Sequence, residues 1–225
     1  PQIVDPEITS ILLNTSAKYN ASATTKDAET LKANIITNLT NYNTSTLQKF
    51  DSVFRFSKVS TLIDGTDASI LSNITTIKIR KSLQPTINSS LKYNIYFRNG
   101  LYNPHTGHNS TAGGILTSTG FKVSGNTNEQ FLDDDGNGNV RAYYLSGATR
   151  VYTNSTQGTI DYTTGAITIN SLQVTEISNI RGSASSVIEL TVQPASNDIV
   201  PVRDQIIELD ISNSTISVQK DTFVA

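Results

Sequence analysis

Hydrophobic spacing changes character once along this 225-residue chain, near residue 90, and that change limits what the chain can fold into. Before it, apolar residues recur at intervals of three and four as well as two; after it, helical periodicity is gone and alternation remains. Ala28, Leu31, Ile35, Leu39 and Tyr42 make one apolar stripe of a helix. Thr24 or Thr25 offers its N-cap, and Asp27 and Glu29 place negative charge in the first turn, where the helix dipole favours it. Asn41, Asn43 and Ser45 end it. A second cluster, Phe50, Val53, Phe54, Val59 and Leu62, has partial helical spacing and stops at Asp64-Gly65. Residues 8–19 and 70–83 read as strands. The order strand, helix, short helix, strand predicts a small sheet with helices on one face. Pro85 marks a boundary, so residues 1–84 are expected to form a small α+β domain.

Residues 85–225 are expected to form a mainly β domain, sandwich-like or irregular, giving an α+β chain overall. Tyr93, Ile95 and Phe97 alternate cleanly, and residues 115–123 read as a strand broken by Gly120. Residues 130–145 read as two strands around Asp135-Gly136-Asn137-Gly138. Residues 159–169 read as a hairpin that turns at Thr163-Thr164-Gly165. Residues 186–192 and 205–211 are further strands, joined by a segment holding Pro194 and Pro201.

Composition removes several function classes. The chain is 36% hydrophobic and 16% charged, both below the usual share, with Ser, Thr and Asn filling the deficit. A net charge of −2 gives no field able to hold a polyanion, so no nucleic-acid partner is expected. The densest basic segment holds Lys78, Arg80 and Lys81. Alternation puts Lys78 and Arg80 on one strand face opposite Ile77 and Ile79, which reads as a solvated face ahead of a weak anion patch. No apolar run reaches the length of a membrane span, and no membrane partner is expected. The absence of Cys excludes disulfides, thiolate metal sites and a Cys nucleophile. The absence of Met leads to the expectation that Pro1 begins a fragment or a processed product.

The sharpest local signal is Asp133-Asp134-Asp135-Gly136-Asn137-Gly138-Asn139-Val140. Asp133, Asp135 and Asn137 fit positions 1, 3 and 5 of a calcium loop, Gly138 the bend and Val140 the apolar position 8. Position 12 is Tyr144 where a bidentate Glu is needed, and the flanks are β. A hairpin turn, favoured by Asp-Gly and Asn-Gly, is the better reading and a weak calcium site the alternative. His105 and His108, the only histidines, fall in one loop; a closed zinc site wants four ligands, so an ordinary loop is favoured. Gly113-Gly114 lacks the context of a phosphate loop, no nucleophile elbow is present, and Asp64 and Asp67 lie beside turns. Asn14, Asn43, Asn109, Asn154 and Asn213 begin sequons, which a chain this rich in Asn, Ser and Thr generates by chance. No catalytic, cofactor or metal residue is assigned, and no enzyme is expected.

Two stretches carry a family resemblance. Residues 50–73, Phe-Asp-Ser-Val-Phe-Arg-Phe-Ser-Lys-Val-Ser-Thr-Leu-Ile-Asp-Gly-Thr-Asp-Ala-Ser-Ile-Leu-Ser-Asn, resemble the central part of the J-like baseplate proteins of contractile-tailed bacteriophages. Residues 199–210, Ile-Val-Pro-Val-Arg-Asp-Gln-Ile-Ile-Glu-Leu-Asp, resemble the tail of the large baseplate wedge subunit of T-even-type phages. The hairpin at residues 158–165 looks similar too. The resemblance implies the C-terminal part of a longer wedge protein, a structural subunit of the virion tail that forms a homodimer and joins neighbouring wedges around the tail hub. It implies other baseplate and tail proteins as partners, assembly in the host cytoplasm, and no catalytic residues. The rival reading is a β-rich binding module, a tail fibre or adhesin that takes carbohydrate with or without calcium. The Phe50–Leu62 segment is a candidate interface, although core packing accounts for its spacing better.

Overall fold

The computed structural model describes residues 7–108, 113–202 and 205–222. The elements run β1 (Glu7–Tyr19), α1 (Ala28–Tyr42), α2 (Phe56–Asp64), β2 (Ile70–Leu83), β3 (Ser90–Tyr96), β4 (Thr117–Ser118) and β5 (Phe121–Val123). They continue as β6 (Asn126–Asp134), β7 (Asn139–Ser146), β8 (Thr149–Asp161), β9 (Ala166–Ile177), β10 (Ile188–Val192), β11 (Gln205–Leu209) and β12 (Thr215–Lys220). The described residues are thus mostly β, with two α-helices among them, both toward the N-terminus. No helix among the described residues is long and apolar enough to cross a membrane.

The described residues group into two compact units, those up to 78 together with those from 197 onward, and those between 79 and 196. The sequence reading draws one boundary, at residue 84, whereas here the C-terminal segment returns to the first unit. Local periodicity carries no information about a pairing partner almost 200 residues away, which is why the return is invisible in the sequence. In this first unit β1 pairs with β2. It also takes two parallel partners, β11 over Glu7–Ile11 and β12 over Asn14–Tyr19.

The helix α1 forms where its stripe predicts, with Leu31, Ile35 and Leu39 fully buried. Its N-cap is Asp27, not Thr24 or Thr25: the Asp27 carboxylate accepts the Thr30 backbone N–H at 2.8 Å. Hydrogen bonds from Thr30 hold that carboxyl below the usual carboxylate range. Instead of stopping at Asn43, the chain continues through a π-helical turn, Asn43–Leu47. The second apolar cluster divides. Phe54 and Val59 are buried, Phe54 forming a two-way backbone bridge with Ile199, while Phe50 is 60% exposed.

The second unit is a five-stranded barrel rather than a sandwich. β5 pairs with β6, β6 with β7, β7 with β8, β8 with β9, and β9 returns to β5. β9 closes the ring by pairing with β8 near its start and with β5 near its end, and it also carries β3. A twelve-residue strand is long enough to serve both, and closure removes the open edges of a two-sheet arrangement. Phe121, Leu132, Val140, Ile167, Ile169 and Val174 are fully buried in this unit. Gly158 permits the β8–β9 seam, since a Cβ there would lie 1.9 Å from the Thr168 carbonyl oxygen. Both predicted hairpins are present. The expected strand at residues 115–123 divides at Gly120 into β4, which pairs with β10, and β5, which joins the barrel.

The solvated face expected for Lys78 and Arg80 holds only for Lys78. Arg80 is 8% exposed, with its guanidinium 3.3 Å from Glu189 on β10, and Lys81 is buried as well. Residues Ile79–Leu83 pair with β10, which covers a stretch that alternation alone leaves open to solvent.

Candidate functional site

The two sequence features with chemical potential, the Asp-rich run and the His loop, meet in the second unit at one barrel turn. Asp133 and Asp134 end β6, Asn139 begins β7, and the turn closes with the Asp135 N–H donating to the Asn139 carbonyl at 3.1 Å. Gly136 and Gly138 both have positive φ, +73° and +99°. Gly136 is required by close approach as well: a Cβ there would lie 2.1 Å from the His108 carbonyl oxygen. The His loop is tied to the same glycine, since Gly107 N–H and Asn103 Nδ2 donate to the Gly136 carbonyl at 3.0 and 3.4 Å.

Each carboxylate of the run is engaged by protein donors. Asp133, fully buried, accepts Arg141 Nε at 2.9 Å, Arg150 Nη1 at 2.7 Å and the Tyr152 hydroxyl at 2.9 Å. Arg141 stacks over the Tyr152 ring and Arg150 over the Tyr143 ring, at 4.2 and 4.7 Å from the centroids. Asp134 accepts the Leu116 N–H at 2.7 Å, the Gly136 N–H at 3.3 Å and the Tyr162 hydroxyl at 2.6 Å. Burial, followed by the Asp134 carboxylate, pushes the Tyr162 phenol far above its ordinary value. Asp135 accepts the backbone N–H groups of Asn137 and Asn139 and the Asn139 amide. Burial alone would raise its pKa, but these hydrogen bonds and the charge of Arg141 outweigh it and hold the carboxyl below the usual range.

The three carboxylates therefore diverge. Asp133 faces two guanidiniums, Asp134 an N–H pair and a phenol, and Asp135 its own turn. Charge-assisted bonds of this kind rigidify a barrel end. Among the described residues no group of three or more His, Asp or Glu side chains converges on one point. The two strands around the Asp-rich turn are legible in the sequence; the pairing of Asp133 with Arg141 and the stacking of Tyr143 and Tyr152 on the arginines are not, because they depend on the β6–β7 and β7–β8 registers.

The other sequence candidates serve local structure. Asp64 accepts the Asn73 amide at 2.7 Å, and Asp67 accepts Lys26 Nζ at 2.5 Å together with the Ser69 N–H and hydroxyl. Lys26, with Ser69, holds the Asp67 carboxyl well below the usual range. Gly113 and Gly114 pack against Arg150 and Asp134, where any Cβ would clash. Of the sequon residues, Asn43 is buried and Asn213 is bonded to Asp210, whereas Asn109 lies outside the described residues. Arg203 and Asp204 of the second resembling stretch lie outside them too.

Residues 7–82 match the family model of the baseplate structural protein gp6, C-terminal domain III. The match spans β1, α1, α2 and nearly all of β2, and includes the first resembling stretch. The family is one of structural baseplate proteins of the virion tail. No curated protein matches the chain.

Proposed function

We propose that the chain is a structural subunit of a tail baseplate wedge, which pairs with a second copy of itself and helps to join neighbouring wedges around the tail hub. The observation that carries this reading is the match over residues 7–82 to a baseplate structural domain. The resemblance of residues 199–210 to the wedge-subunit tail supports it from a second place, since β11 from that stretch pairs with β1 of the matched segment. Exposed apolar side chains in the same unit, Ile8, Ile74 and Val200 at 50%, 73% and 48%, suit a protein that buries surface in an assembly. Assembly would take place in the host cytoplasm, with other wedge and tail proteins as partners. Light scattering across a hundredfold concentration range tests the pairing. A mass of two chains is expected, and a strict monomer at the highest concentration would count against self-association.

A further inference from the structure

The chain has two histidines, and the loop before the undescribed segment brings their rings together. His108 Nδ1 lies 3.3 Å from His105 Nε2, with ring centroids 4.9 Å apart and planes at 84°. The second nitrogen of His105, Nδ1, lies 3.1 Å from the Thr106 carbonyl oxygen. A carbonyl only accepts, so the proton of neutral His105 sits on Nδ1 and the lone pair of Nε2 faces His108. A histidine whose far N–H is donated to a backbone carbonyl is oriented as metal-ligating histidines are.

The separation has its own meaning. Two zinc–nitrogen bonds of about 2.0–2.1 Å at a tetrahedral angle span roughly 3.4 Å between the nitrogens. The His105–His108 distance of 3.3 Å is close to that bite. In the metal-free chain His108 Nδ1–H donates to His105 Nε2. Moving that proton to Nε2 of His108 leaves one lone pair on each facing nitrogen, and a modest turn of the two rings aims both at a shared ion. Tyr102 packs edge-on against His108, with centroids 5.3 Å apart, and fixes its ring. In the same loop Asn103 carries a buried Oδ1 without a hydrogen-bond partner among the described residues.

We propose that His105 and His108 form a two-imidazole site for a late first-row divalent cation, Zn2+, Ni2+ or Cu2+, with water in the remaining positions. Imidazole nitrogen suits these ions and not Mg2+ or Ca2+. With two protein ligands the site is a weak one. A bound ion would staple the loop at residues 103–108, already tied to Gly136, onto the barrel turn. This inference stands apart from the baseplate reading and does not depend on it.

The full chain titrated with Zn2+ and Ni2+ near neutral pH by calorimetry, with Mg2+ as the control ion, tests it. One Zn2+ or Ni2+ per chain, no Mg2+, and a melting temperature raised by the bound ion are expected. H105A and H108A should each lower affinity at least tenfold while matching the parent by far-UV circular dichroism without metal. Should either fail to fold, H105Q and H108Q replace them, and electron spin resonance of the Cu2+-loaded parent should show two coupled nitrogens. A parent that takes up neither Zn2+ nor Ni2+, variants that bind as the parent does, or a Cu2+ spectrum without two nitrogens would overturn the proposal.

Discussion

Asn43 and Leu209, 166 residues apart, are joined by two hydrogen bonds: Asn43 Nδ2 donates to the Leu209 carbonyl at 3.1 Å, and the Leu209 N–H donates to Asn43 Oδ1 at 2.7 Å. The Asn43 amide thereby stands where another strand would bond to β11. It satisfies both backbone groups of a buried residue at the point where α1 gives way to its π-helical turn. The pair ties the segment that matches the baseplate domain to the strand that returns from the C-terminus.

Substituting Asn43→Ala should remove both bonds and strand the Leu209 groups in a buried place. Each lost bond contributes about 1 kcal/mol, with a further penalty for unsatisfied groups, so a loss of roughly 2–4 kcal/mol is expected. N43D sets a carboxylate oxygen against the Leu209 carbonyl in a buried place and should lose at least as much. Urea denaturation of the three proteins measures this, and an N43A midpoint equal to the parent's would show that the pair is dispensable.

Asp133 balances two guanidiniums, so its removal should cost more than the loss of either arginine. D133N leaves Arg141, 11% exposed at its side chain, without its carboxylate, and about 3 kcal/mol should be lost. R150K, at a side chain 30% exposed, should cost well under half of that. Thermal unfolding of both variants gives the ranking; the reverse order would mean that Asp133 does not organise the cluster.

Gly158→Ala places a Cβ 1.9 Å from the Thr168 carbonyl oxygen, a backbone atom that cannot swing away. The β8–β9 seam must open locally, at an expected cost of about 1–3 kcal/mol. Amide exchange should speed up at Thr159 and Ile160, whose strand pairs with Thr168 and Ile167, more than at β1. Equal protection in parent and variant would contradict barrel closure at this seam.

Several carboxyls are held below their ordinary values: Asp67 by Lys26 and Ser69, Asp161 by the Thr163–Thr164 turn, and Asp198 by Arg55 and the Phe56 N–H. Their folded-state values lie below the unfolded value of about 3.9, so their stabilisation is complete above that pH and is lost as the pH falls through the lowered values. The melting temperature should therefore be flat between about pH 5 and 7 and drop below about pH 4. A melting temperature that rises on acidification would reverse the sign of these interactions.

What the sequence made legible was local. The Leu31–Ile35–Leu39 stripe, the turn at Gly165 and the strands flanking the Asp-rich run all form as periodicity and turn chemistry indicate. Asp27 replaced the threonines as the N-cap because the cap is fixed by which side chain reaches the Thr30 N–H, a matter of one residue of register. The strand β12 was missed: Ile216 and Val218 alternate too briefly to announce it, and its partner is β1. Arg80 was placed in solvent because its covering strand, β10, lies over 100 residues later. The meeting of the His loop with the Asp-rich turn was equally hidden, although Gly136 between them was a clue that another backbone comes close.

The baseplate assignment is tested most directly by locating the chain in tail particles. Antibodies against the folded chain, applied with gold label to purified contractile tails that contain it, should mark the baseplate end and nothing along the tube or sheath. Label confined to the fibres or the sheath, or tails that assemble normally with the chain absent, would contradict a structural place in the baseplate wedge.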